Sequence, residues 1–86
     1  MLKVTNHNKF KFFEYENEVS TGYQLGDILF KHYDDGDEIG VVIQTFSDGD
    51  FRTDMWGMSY ESEVRPANIE DIKQWRPKLM EDIQIG

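Results

Sequence analysis

Apolar and polar residues alternate along much of the chain, and a period of two is typical of β-strands with one buried face. Over residues 10–19 the two parities separate into an apolar and an acidic set: Phe13, Tyr15 and Val19 against Glu14, Glu16 and Glu18. This pattern predicts a strand with one solvated face. A β-bulge near Phe12 would be compatible with the register.

Three more strands are predicted in the middle of the chain, over residues 28–33, 39–46 and 51–56. The second of these is rich in β-branched residues and apolar on both parities, which indicates a central strand. Residues 34–38 and 47–50 combine Asp with Gly, as turns do, and the Asp-Gly pair of the second turn favours a type I′ hairpin. Residues 58–64 are predicted to add one further strand.

The period changes near the C-terminus, where a helix is predicted. Asn68 can cap this helix, and Glu70 and Asp71 follow in its first turn, at the positive end of the helix dipole. An apolar stripe recurs every three residues: Ile69, Ile72 and Trp75. Pro77 either interrupts the helix or begins a second turn, so residues 68–83 are predicted to be a helical C-terminal segment.

Length and composition are those of one small folded domain. The 86 residues are 38% hydrophobic and 14% aromatic, which allows a thin core built on large side chains. We expect a single domain over 1–86, with residues 1–9 frayed or paired as an edge and a β-barrel over 10–67. The predicted fold class is mainly β with a C-terminal α segment: a small antiparallel barrel or curved sheet of four to five strands, closed by the helix.

Several motifs resemble those of the small SH3-like barrels of the Tudor and KOW kind. They are Gly26-Asp27-Ile28-Leu29, Gly40-Val41-Val42, Asp48-Gly49-Asp50-Phe51 and Met55-Trp56. In those barrels a Gly-Asp-x-Val strand is followed by Gly-x-Val and by an Asp-Gly hairpin. The resemblance covers about residues 23–67 and implies an SH3-like fold, which does not carry a function. The barrel and helix together also resemble small proteins of gut bacteria and their phages, which implies no activity.

Negative charge is concentrated in the predicted barrel. The chain has a formal net charge of −8, and residues 14–63 contain thirteen acidic and two basic residues, a net charge of −11. Such a body repels nucleic acids and anionic membranes, so direct binding to either is not expected. One interpretation is turn chemistry and solubility. The other is recognition of a basic protein surface, with electrostatic steering of the encounter.

We therefore predict a non-catalytic protein-binding module that acts through an acidic barrel surface on a protein partner. A basic surface is expected on that partner. The candidate partner-binding residues are Asp34, Asp35, Asp37, Glu38, Asp54, Tyr33 and Trp56. A first alternative is an acidic inhibitor that mimics nucleic-acid phosphates and blocks a DNA- or RNA-binding protein of a host. A second alternative is a small enzyme or enzyme subunit.

The aromatic residues leave two further alternatives open. The Tudor resemblance implies that Tyr33, Trp56 and Tyr60 can form a cage for a methylated lysine or arginine, assisted by the Asp54 carboxylate. Otherwise Tyr33 and Trp56 cover the core or pack on the helix. The helix stripe is either a lid on the barrel or a dimer contact, so we expect a monomer or a weak homodimer.

The sequence contains no motif of a catalytic or metal site. It has no Gly-x-Ser-x-Gly, no phosphate-binding Gly-rich loop, no His-Glu-x-x-His and no cysteine. In the run over 34–38, Gly36 comes too early for a calcium loop, and His32 with Asp34 falls short of a metal triad. No enzyme activity, cofactor or metal is expected. The sequence shows no signal peptide and no membrane-length apolar run, so a cytoplasmic location is predicted.

Overall fold

The computed structural model describes residues 2–5, 10, 16–20, 22–59 and 64–84. The strands are β1 (Lys3–Val4), β2 (Ile28–Tyr33), β3 (Gly36–Thr45), β4 (Phe51–Thr53), β5 (Met58–Ser59), β6 (Arg65–Pro66) and β7 (Ile83–Gln84). Helix α1 (Ile69–Trp75) is followed directly by a 3-10 helix (Pro77–Glu81).

An antiparallel sheet in the order β5-β4-β3-β2-β6 forms the body of the protein. Strands β2 to β5 pair with their neighbours in sequence, and β6 then returns to pair with β2. Among the described strands, β5 and β6 lie at the two edges, so the sheet is open and does not close into a barrel. The predicted fold class, mainly β with an antiparallel sheet and a C-terminal helix, is confirmed.

The two faces of the central strands are both buried. One face packs with α1 and the chain ends, in a cluster of Val4, Phe10, Ile28, Ile39, Val41, Ile43, Ala67, Ile72 and Leu79. The other face carries a smaller cluster of Leu29, Val42 and Phe51, with Tyr23, Trp56 and Val64 packed against it. Successive residues of a strand point to opposite faces, so an apolar run on both parities buries both. The predicted central strand is thus confirmed, and it begins earlier, at Gly36.

Strand β1 pairs as an edge, one of the two outcomes expected for residues 1–9, of which residues 1 and 6–9 lie outside the described part. Strand β1 pairs with β7, and the Val4 N–H donates to the Gly26 carbonyl at 3.0 Å. Val4 is buried in the larger cluster. Beside it, the Lys3 ammonium contacts the buried Asp27 carboxylate at 2.8 Å. The two ends of the described chain therefore meet next to the start of β2.

The strand predicted over residues 10–19 is wrong for its second half, residues 16–19. Residues 16–19 form no strand, and residues 11–15 lie outside the described residues. The Asn17 side-chain carbonyl accepts the Thr45 N–H at 2.8 Å, so a side chain takes the place of a ladder bond. Val19, assigned to the apolar parity, is 92% exposed.

The turns and strand ends also differ from prediction. The turn between β3 and β4 is not type I′, because Gly49 is its only residue with positive φ and a type I′ turn needs two. Strand β4 ends at Thr53 because its hydroxyl accepts the N–H groups of Met55 at 3.2 Å and Trp56 at 3.0 Å, which curls the chain. Strand β5 covers two residues of the predicted 58–64, and residues 60–63 lie outside the described part.

The predicted helix start is confirmed as a capping box. The Asn68 side chain accepts from the Asp71 N–H at 2.8 Å, and the Asn68 N–H donates to the Asp71 carboxylate at 3.0 Å. Arg65 also donates to both carboxylate oxygens of Asp71. Pro77 begins the 3-10 helix, as one of the two readings predicted. Of the apolar stripe Ile72 is fully buried, whereas Trp75 at the end of α1 is 39% exposed and is not a core residue.

We predict that Gly40→Ala destabilises the fold. A Cβ at this position would lie 2.7–2.8 Å from the Trp56 ring and 2.9 Å from the Thr53 hydroxyl, so the rigid indole has to move. Overpacking of this kind costs about 1–3 kcal/mol, measurable by denaturant unfolding. Gly57→Ala is the control, because a Cβ there meets no atom within 4 Å. Equal stability of the two variants would contradict the packing described.

We predict that Asp71→Asn weakens the pH dependence of stability in acid. The Arg65 guanidinium, together with the Asn68 N–H, lowers the pKa of Asp71 from its ordinary value of 3.8. The unfolded chain therefore binds this proton at higher pH than the folded chain does. The stabilisation is complete above the ordinary pKa and is lost as pH falls through the lower folded pKa. Unfolding free energies measured between about pH 5 and pH 2 should fall less steeply in the variant. The exposed Glu70→Gln is the control; a variant slope equal to wild type would refute the linkage.

Candidate functional site

An open groove of about 530 Å³ lies at the turn between β2 and β3, and we call it the hairpin groove. Its lining residues are Tyr33, Asp35, Gly36, Asp37, Glu38, Met55 and Trp75. Four of the seven predicted partner-binding residues are among them: Tyr33, Asp35, Asp37 and Glu38. The structure thus brings most of the sequence candidates to one concave place.

The β2–β3 hairpin sets the positions of the acidic side chains. Tyr33 pairs with Gly36 across the turn, His32 with Asp37, and Lys31 with Glu38. Because consecutive strand residues point to opposite faces, the carboxylates of Asp37 and Glu38 lie on opposite sides of the hairpin. Asp37 accepts a 2.5 Å hydrogen bond from Nδ1 of His32, whose side chain is 74% exposed. The groove therefore wraps around the end of the hairpin.

Two exposed apolar side chains complete the walls of the groove. Met55 is 48% and Trp75 is 39% exposed. The Trp75 indole lies 3.9 Å from the place where a Cβ of residue 36 would be. Gly36 has a φ of +148°, a conformation that L side chains rarely adopt, so glycine is required at this point of the turn. The indole consequently rests beside a backbone position flanked by Asp35 and Asp37.

A forked ion pair holds the two apolar walls in place. The Arg76 guanidinium donates to the two Asp54 oxygens at 2.6 and 3.0 Å and to the Ile39 carbonyl at 3.1 Å. Asp54 also accepts the Val41 N–H at 2.9 Å. Met55 and Trp75 are the chain neighbours of Asp54 and Arg76, so this pair fixes both walls to the middle of β3.

The other predicted candidates lie outside the groove lining. Asp34 is an exposed turn residue. Asp54 uses both oxygens inside the fold, and the Trp56 ring packs over Gly40. The ammonium of Lys31 lies 5.4 Å from the centre of the Tyr33 ring and 5.5 Å from the Trp56 ring. Tyr33 and Trp56 thus flank the chain's own Lys31, and the Asp54 carboxylate that was to assist a cage is bound by Arg76. Tyr60 lies outside the described residues.

The acidic residues of the body differ in what they contact. Asp27 is buried, where it contacts Lys3 and accepts the Gln24 N–H at 2.9 Å. By contrast, the described residues that line the hairpin groove include three carboxylates and no lysine or arginine. The groove therefore combines negative charge with exposed apolar surface.

A second groove, of about 490 Å³, follows the 3-10 helix. Its lining residues are Phe10, Arg76, Pro77, Lys78, Leu79, Glu81 and Asp82. Two basic and two acidic side chains balance there, and none of the predicted binding residues lies in it. It does not share the charge character of the hairpin groove.

Sequence reasoning did not identify Met55 and Trp75 as site residues. The sequence predicts Met55 to lie in the strand over 51–56 and Trp75 in the helix stripe, and neither pattern tells what lies beside these side chains in space. The sequence offers one indication for these two residues: Met55 follows Asp54 and Trp75 precedes Arg76, and Asp54 and Arg76 carry opposite charges.

Among the described residues, no three His, Asp or Glu side chains are grouped so as to hold a metal ion. Within the same part of the chain, no helix has the length and apolar character needed to cross a membrane. Comparison with protein-family models, curated proteins and solved structures gives no match.

We predict that Asp54 and Arg76 are energetically coupled. Asp54→Asn and Arg76→Gln should each lower the unfolding free energy by about 1–2 kcal/mol, because each removes one partner of a largely shielded charged pair. The double variant should lose clearly less than the sum of the two single losses. Denaturant unfolding of the four proteins measures this coupling, with the exposed Asp34→Asn as control. Strictly additive losses would show that the pair does not tie the two segments together.

Proposed function

We propose that this protein is a non-catalytic protein-binding module whose hairpin groove binds a basic surface of a partner protein. One observation carries the proposal: three carboxylates and the exposed side chains of Met55 and Trp75 line the same open groove. Solubility and turn chemistry explain surface carboxylates, but they do not explain large apolar side chains exposed beside them. Tryptophan and methionine are enriched at protein interfaces, where tryptophan often carries much of the binding energy.

The charge of the chain supports a basic partner. A net charge of −11 over residues 14–63 attracts a positive surface from a distance. The carboxylates of the groove would then pair with that surface directly. Asp35, Asp37 and Glu38 would pair with the partner's basic side chains, while Met55 and Trp75 would make the apolar contact.

The shape of the groove supports binding rather than catalysis. A groove open to solvent does not exclude water from a reacting group, as enzyme sites commonly do. We also propose an SH3-like topology for the sheet, supported by the return of β6 to β2 after four consecutive strands. A cytoplasmic location is proposed as well, and a sequence without cysteine suits it.

The test is a comparison of two variants that lose the same charge. The groove variant carries Asp35→Asn, Asp37→Asn and Glu38→Gln; the control variant carries Asp48→Asn, Asp50→Asn and Glu70→Gln. Partners captured from lysate are eluted with a salt gradient. We expect the wild type and the control to retain a basic partner that elutes at moderate salt, and the groove variant to lose it.

Two other results would change the conclusion. Equal loss of the partner from both variants would show that net charge alone is responsible, which contradicts a groove-specific module. Displacement of the partner by DNA or RNA would favour the alternative of an acidic inhibitor that mimics nucleic acid, because such a mimic occupies the partner's nucleic-acid site. Circular dichroism checks that each variant is folded, so that loss of the partner reflects the removed carboxylates.

A further inference from the structure

This protein holds guanidinium groups between an aromatic ring and a carboxylate in two places. The Arg65 guanidinium lies 4.0 Å from the centre of the Phe30 ring and donates to Asp71 at 2.8 and 3.2 Å. The Arg76 guanidinium lies 5.8 Å from the Phe10 ring and is bound by Asp54. In each place the ring and the carboxylate are supplied by different segments of the chain.

The geometry of the guanidinium group explains this arrangement. Its flat face stacks on an aromatic ring, while its N–H groups point outward in the plane and reach a carboxylate in a forked manner. A lysine ammonium is a compact, strongly hydrated charge without a flat face, so it cannot satisfy both groups in the same way.

The hairpin groove presents the same two kinds of group. The Trp75 indole is 39% exposed and rests beside Gly36, whose chain neighbours are Asp35 and Asp37. Glu38 lines the groove from the other side of the hairpin, and Met55 adds an exposed apolar wall. Among the described lining residues, no arginine or lysine accompanies the ring and the carboxylates. The chain supplies its own cation beside Tyr33, where Lys31 lies, and Asp37 already contacts His32. A cation on the Trp75 indole would come from a partner, with Asp35 and Glu38 as the other carboxylates of the groove.

We infer that the hairpin groove binds an arginine side chain of the partner protein, with the guanidinium on the Trp75 indole and its N–H groups on the adjacent carboxylates. The Met55 side chain covers the methylene stem of that arginine. This inference rests on the proposed function and adds the chemistry of the residue that is recognised.

The test uses two synthetic peptides of equal length and charge, an acetylated and amidated (Gly-Arg-Ser) repeat of four units and its lysine counterpart. Titration calorimetry with the full chain should give an affinity about fivefold to tenfold higher for the arginine peptide. Trp75→Leu keeps an apolar side chain but removes the aromatic face, so it should bring the two affinities together. Glu38→Gln should weaken both peptides, whereas Glu70→Gln, outside the groove, should leave both unchanged.

The possible failures are distinguishable. If both peptides bind equally and Glu38→Gln weakens both, the arginine inference is overturned while the acidic protein-binding groove survives. If Trp75→Leu keeps the preference for arginine, the indole is not the stacking surface and the inference is overturned. If neither peptide binds, or if Glu38→Gln leaves the affinity of both peptides unchanged, the arginine inference and the proposed binding groove are both wrong.

Discussion

The forked ion pair between Arg76 and Asp54 is the contact on which the arrangement of this small protein depends. It joins the end of α1 to the bend that follows β4, and each partner also bonds to the backbone of β3, at Ile39 and Val41. One pair therefore links three segments that are distant in sequence. Because Met55 and Trp75 are chain neighbours of the two charged residues, the same contact places two apolar side chains at the mouth of the hairpin, where they remain exposed.

Local chemistry made part of this fold predictable. The β-branched apolar run over residues 39–46 predicted a central strand buried on both faces. Asn68 and Asp71, three residues apart, predicted the start of the helix. What could not be predicted depends on distant or side-chain contacts. Strand β1 is defined by pairing with β7 at the opposite end of the chain. The Asn17 and Thr53 side chains take backbone hydrogen bonds that a regular strand would use, and no alternation of apolar residues reports such competition.

The candidate site divides in the same way. Tyr33, Asp35, Asp37 and Glu38 are close in sequence, so a hairpin was enough to bring them together. Asp54 is one of the predicted partner-binding residues, but its carboxylate is bound by the Arg76 guanidinium. The two residues are 22 positions apart in the chain, so the sequence pattern did not indicate this contact. The stripe spacing suggested that Trp75 belongs to the core. It is the last residue of a seven-residue helix, where its ring lies beside Gly36 at the start of β3 and remains 39% exposed. The charge of residues 14–63 was visible in the sequence, whereas its meeting with apolar surface was not.

The central claim is that negative charge becomes a binding site where it meets Met55 and Trp75, and not over the acidic surface as a whole. Chemical-shift mapping of the ¹⁵N-labelled protein with the arginine peptide measures this directly. The largest changes should fall on the Trp75 indole N–H, the Met55 amide and the amides of residues 35–38, with the acidic turn over 47–50 little affected. Chemical-shift changes of equal size at both acidic turns, with no change at the Trp75 indole N–H, would contradict a binding site confined to the hairpin groove.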